Sequence, residues 1–232
     1  MIQKNSKVRR GFTLVELLVV IAIIIILAAL SFMGVGRARE IAQRAGSAAK
    51  LRDLSVAITG FTADNSGFLP ATRKSGGVYW PQIIWPNIPS SQAFLRPGTK
   101  DRPIDPTRNE TNGYFAMPDN AAMTPEQQPI RWNYVINGGA AHLPFSEVAA
   151  TDALPATAAR GLSRPLMQIS NPSRTVMLAD GNGAFWLNGD AKTNSPRIHK
   201  WSNGKSNILW FDGSVQMLSP RELRNGDFSA IK

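Results

Sequence analysis

The chain has 232 residues, a formal net charge of +10, 43% hydrophobic residues, no cysteine and two histidines. Without cysteine there are no disulfide staples, thiol nucleophiles or thiolate metal sites, and two histidines are too few for a histidine-based metal cluster. The positive excess is compatible with DNA or another acidic surface as a partner, but the Lys and Arg residues are scattered, which fits a solvated surface better.

The first element is announced by charge. Lys4, Lys7, Arg9 and Arg10 precede Gly11-Phe12-Thr13-Leu14-Val15-Glu16, and Leu17 to Gly36 then runs for 20 residues without a charge. As a helix rising about 1.5 Å per residue, that run spans roughly the 30 Å of a bilayer core. The basic cluster ahead of it keeps the N-terminus in the cytoplasm and sends the C-terminal bulk across, with Arg37, Arg39 and Arg44 weakening the asymmetry. A cleavable secretory signal is the competing reading, with Ala29 and Ser31 as small residues near a cut. Glu16 argues against it, because an ionised carboxylate at the edge of an apolar segment is costly unless paired.

Beyond the run, Ile41, Ala45, Ala48, Leu51, Leu54, Ile58 and Phe61 recur at three- and four-residue spacing, the apolar stripe of an amphipathic helix. The pattern predicts one helix over 12–62, with 12–36 transmembrane and 37–62 an amphipathic stalk, on the order of 75 Å long. Gly34 and Gly36 are where any kink would fall.

Residues 63–172 concentrate Pro, Gly, Asn and Asp, which break helices and start turns. Regular structure is expected to be sparse there, apart from a strand within Arg131–Gly138. Trp80, Trp85, Trp132 and Tyr134 could form a sugar- or base-stacking platform, but in a loop-rich domain they read better as core anchors. The C-terminal third reads as a strand ending at Asp180-Gly181 and two strands around Asp212-Gly213, a strong hairpin signal. Ile208 to Phe211 is apolar on both faces, whereas Val215 and Met217 flank Gln216, so one strand is expected buried and its partner half exposed. Asp180, Asn182 and Asp190 supply oxygens around Gly-rich turns that could hold calcium, without EF-hand spacing; metal-free turn aspartates are the alternative.

The leader ending in Gly11, followed by Phe12-Thr13-Leu14-Val15-Glu16 and the apolar run, resembles the signal of type IV pilins and of the pseudopilins of type II secretion. The resemblance implies cleavage between Gly11 and Phe12 by prepilin peptidase, N-methylation of Phe12, and Glu16 as the assembly contact, paired with the N-terminal amine of a neighbouring subunit. Removing 1–11 takes four of the basic residues with it. At the other end, "HKWSNGKSNILWFDGSVQML" is similar to pilin-like proteins with a processing-associated motif of His, nine residues and Asp-Gly. Asp212 and Gly213 match, but Ser202 stands nine residues ahead and His199 is displaced by three.

The resemblance further implies an α+β, pilin-like fold: a long N-terminal transmembrane and stalk helix packed on a C-terminal antiparallel sheet, with long loops in a head spanning 63–232. It implies a structural subunit polymerised into a type II secretion pseudopilus or type IV pilus-like filament, single-pass in the bacterial inner membrane with its head periplasmic or on the filament. Its partners would be other pilin-like subunits, the peptidase and methyltransferase, the inner-membrane assembly platform and the membrane. Calcium in this end of the head is a property of the major pseudopilins. An anchored minor pilin binding DNA, a glycan or a surface is the alternative. An enzyme built on His142 or His199 lacks a visible clustered acid or nucleophile.

Overall fold

The computed structural model describes residues 12–74, 78–99, 132–138, 145, 161–181, 186–187, 190–194 and 196–229, with the backbone alone at 29–34, 74, 186 and 193–194. Helix α1, Leu14–Asp64, is 51 residues long and continues through Gly34 and Gly36. The chain divides into two compact units after Ala42.

In the first unit the apolar side chains of α1 face outward: Leu14 is 80% exposed and Ile25 65%. Among the described residues no helix is long and apolar enough to cross a membrane. The uncharged run of the sequence extends through 29–34, which are described by backbone alone.

In the second unit the same helix changes character. Leu51, Leu54, Ala57, Ile58 and Phe61 are buried, the apolar face that the stripe predicts. Upstream the stripe fails: Ala45 is exposed, Ala48 is half-buried, and Ser47 is fully buried in their place. A polar side chain occupies that position because it has a buried acceptor on the sheet, described below.

Among the described residues the sheet runs β7-β4-β6-β8-β9, five strands in all. These are β4 (Tyr134–Asn137), β6 (Val176–Asp180), β7 (Trp186–Leu187), β8 (Ser206–Trp210) and β9 (Val215–Leu218). Neighbours are antiparallel except β4 and β7, which run parallel. Both faces are covered. Tyr134, Ile136, Leu178 and Leu209 pack with Leu51, Leu54 and Ile58 of α1. Val135, Ala179, Ile208 and Trp210 point the other way, against Ile198, Leu223 and Phe228. This alternation is the period-two consequence of the pleat. β8 is buried throughout while β9, at the sheet edge, is partly exposed.

The β8–β9 connection is the expected Asp-Gly hairpin. Gly213 takes φ +83° and its N–H donates to Trp210 O at 3.0 Å, while Asp212 Oδ1 accepts from Ser214 N–H at 2.9 Å. Only glycine adopts that φ without strain.

Among its described residues the loop-rich region holds regular pieces, all short. β1 (Phe68–Pro70) pairs with β5 (Leu162–Pro165), and β2 (Arg73–Lys74) with β3 (Val78–Tyr79), which leads into the four-residue helix α2 (Trp80–Ile83). Trp80, Trp132 and Tyr134 are at most 1% exposed, and Trp85 packs against the same core. The aromatics are therefore core anchors, not a stacking platform.

Candidate functional site

Helix α1 starts on a reciprocal cap. Thr13 precedes the first helical residue, and its hydroxyl accepts from Glu16 N–H at 3.3 Å. Glu16 Oε2 in turn accepts from Thr13 N–H and from Thr13 Oγ1, both at 2.9 Å. This is the Thr-x-x-Glu capping box, which satisfies helix-start donors that otherwise lack partners. The spacing is legible in the sequence, where Glu16 reads first as a costly charge. Glu16 Oε1 has no partner among the described residues, and Phe12 beside it is 77% exposed. Gly11 lies outside the described residues.

A second constellation was hidden from the sequence. Asp180, at the end of β6, is 0% exposed. Its Oδ1 accepts from Ser47 Oγ of α1 at 2.5 Å, and the same Ser47 oxygen lies 3.2 Å from Tyr134 OH on β4. Its Oδ2 accepts from Trp201 Nε1 at 2.8 Å and from the side chain and backbone of Asn207 on β8 at 3.1 and 3.3 Å. Asn207 Nδ2 also donates to Arg44 O of α1 at 3.1 Å. Burial pushes the Asp180 carboxyl above its ordinary range, opposed by the Ser47 and Trp201 bonds and by the nearby Arg96 guanidinium. Burial likewise raises the Tyr134 hydroxyl. One carboxylate on β6 thus ties together the helix, β8 and the Trp201 loop, with Tyr134 of β4 reached through Ser47.

This placement bears on the expected cation ligands. The Asp180 oxygens carry protein donors, Asp190 Oδ1 accepts from Lys192 N–H at 3.0 Å, and Asn182 lies outside the described residues. Among the described residues no three His, Cys, Asp or Glu side chains gather as a metal site. His199 stands edge-on to Trp201, with ring centres 5.0 Å apart, and its N–H donates to Asp180 O. His142 lies outside the described residues. Asp212, the matching residue of the degenerate C-terminal motif, serves the hairpin turn.

Comparison with known families bears on the N-terminal cap. Residues 6–32 match the family model described as the prokaryotic N-terminal methylation motif. The chain therefore carries a prepilin-type N-terminus, a mark of structural proteins anchored in the membrane by their N-terminal helix. In that N-terminus, and in its long helix packed on a mostly antiparallel sheet, the chain is similar to type IV pilins and pseudopilins. No curated protein and no solved structure matches it.

Proposed function

We propose that the chain is a filament subunit, cut between Gly11 and Phe12 by prepilin peptidase, N-methylated on Phe12 and polymerised with other pilin-like subunits into a type II secretion pseudopilus or type IV pilus-like fibre. Before assembly it sits in the bacterial inner membrane, N-terminus in the cytoplasm and head on the far side. The chemistry is done on this protein, not by it.

The observation that carries this reading is the Thr13–Glu16 cap. It fixes the carboxylate at the helix start while Glu16 Oε1, beside exposed Phe12, has no partner among the described residues. Cleavage would create a cationic amine at Phe12, and methylation keeps its charge. A carboxylate with one bare oxygen in an apolar setting is stabilised by such a cation, and the neighbouring subunit's amine supplies it. The exposed side chains from Leu14 to Leu27 then form the packing surface between helices. The alternative, a minor pilin whose head binds DNA or a glycan, gains nothing from Trp80, Trp85 and Trp132, which pack in or against the core.

Mass spectrometry of the mature N-terminus tests the reading. It should begin at methylated Phe12, and Gly11→Ala should leave the longer precursor in the membrane. A mature start near Phe32 would show an ordinary secretory signal and end the pilin reading.

A further inference from the structure

A cleft lies between the 3-10 turn Pro172–Arg174, just ahead of β6, and the C-terminal turn Asn225–Asp227. Its volume is about 200 Å³. Arg174 stands on one wall and Arg224 on the other, and the lining between them is polar, with Asn171 and the buried side chains of Thr175 and Asp227.

Asp227 alone would repel an anion, but its charge is already used. Arg174 Nη2 donates to Asp227 Oδ1 at 3.2 Å, and Arg224 N–H donates to Oδ2 at 2.8 Å. One guanidinium cancels the carboxylate. The other, on Arg224, makes no side-chain hydrogen bond among the described residues, so the cleft retains one positive charge. Arg174 also keeps donors beyond the one spent on Asp227, since a guanidinium carries five. The walls are fixed to each other: Thr175 Oγ1 lies 2.8 Å from Asn171 O and 3.4 Å from Ser229 O. Two guanidinium groups on a braced polar cleft offer positive charge and several N–H donors to a group that accepts hydrogen bonds and carries negative charge.

We propose that this cleft binds a single oxyanion group, a phosphate, sulfate or carboxylate, held between the guanidinium groups of Arg174 and Arg224. The cleft, about 200 Å³, has room for such a group with part of its hydration shell. The group is either a free inorganic anion or the charged unit of an acidic polysaccharide. The site is independent of the filament reading, because it lies on the head and uses no residue of the helix start.

The test is a titration of the full chain in detergent, at constant ionic strength, with inorganic phosphate in one arm and a galacturonate oligosaccharide in the other. The readouts are melting temperature and isothermal titration calorimetry, with Arg224→Gln as the variant. Because Arg174→Gln alone would strand buried Asp227, the companion is the double variant Arg174→Gln, Asp227→Asn. Saturable binding in either arm, weakened about tenfold or more by Arg224→Gln and by the double variant, is the expected result. The tighter arm names the source. Absence of saturable binding in both arms, or equal affinity in wild type and Arg224→Gln, overturns the proposal.

Discussion

The Ser47 hydroxyl on α1 donates to Asp180 Oδ1 on β6 across 133 positions of sequence, and the same oxygen meets Tyr134 OH on β4. Ser47→Ala would leave two buried polar groups without that partner. Each orphaned group costs about 1–3 kcal/mol, so the variant should unfold at clearly lower denaturant than wild type. Ala48→Ser, one residue along on a half-buried position, is the control and should be near neutral. Equal loss in both variants would remove the special role of the buried hydroxyl.

The same carboxyl makes stability depend on pH. Its folded pKa lies above the unfolded value of about 3.9, so the folded state holds the proton more tightly than the unfolded state. The contribution of Asp180 is then fully present below the unfolded pKa and is lost as pH rises through the folded one. Melting curves from pH 4 upward should show wild type falling relative to Asp180→Asn, which cannot titrate. A difference that stays constant across the range would contradict this sign.

Gly181 follows Asp180 where β6 passes close to Asn133. A Cβ there would meet Asn133 O at 2.7 Å and Val135 N at 3.1 Å, both backbone atoms that cannot swing aside. Gly181→Ala should cost about 1–3 kcal/mol through forced backbone displacement. Gly226→Ala, whose Cβ would meet nothing within 4 Å, should not. Chemical denaturation of the two variants side by side decides it.

Much of this arrangement could be read from local sequence. The helix, the β6 strand and the β8–β9 hairpin rest on periodicity and on Asp212-Gly213, signals that act within a few residues. What escaped was set by distant partners. Ala48 reads as more apolar than Ser47, yet Ser47 is the buried one because Asp180 waits for it from far along the chain. Asp180 itself looks like a turn aspartate or a calcium ligand until Ser47, Trp201 and Asn207 are seen around it. The parallel pairing of β4 with two-residue β7 has no short-range signal either. The Thr13–Glu16 cap is different, since its three-residue spacing is a known helix-start pattern.

Calcium provides another check. With Asp180 and Asp190 already accepting protein hydrogen bonds, chelation should lower the melting temperature of the full chain in detergent by no more than about 2 °C. A drop of many degrees, restored by added calcium, would place a cation among these residues.

If Glu16 joins subunits, chemical crosslinking of Glu16→Ala in the native cell will show it. Losing the carboxylate removes half of the Thr13 cap, worth about 1 kcal/mol, which leaves a 51-residue helix largely intact. It also leaves the neighbour's amine uncompensated in an apolar setting, at about 3–5 kcal/mol for every interface. The expected product is a protein still cleaved after Gly11 and still in the membrane fraction, with crosslinked ladders and sheared fibres missing. Thr13→Ala, which disturbs the cap but keeps the charge, should retain ladders. Wild-type ladders in Glu16→Ala would contradict the pairing and leave Glu16 as a helix cap alone.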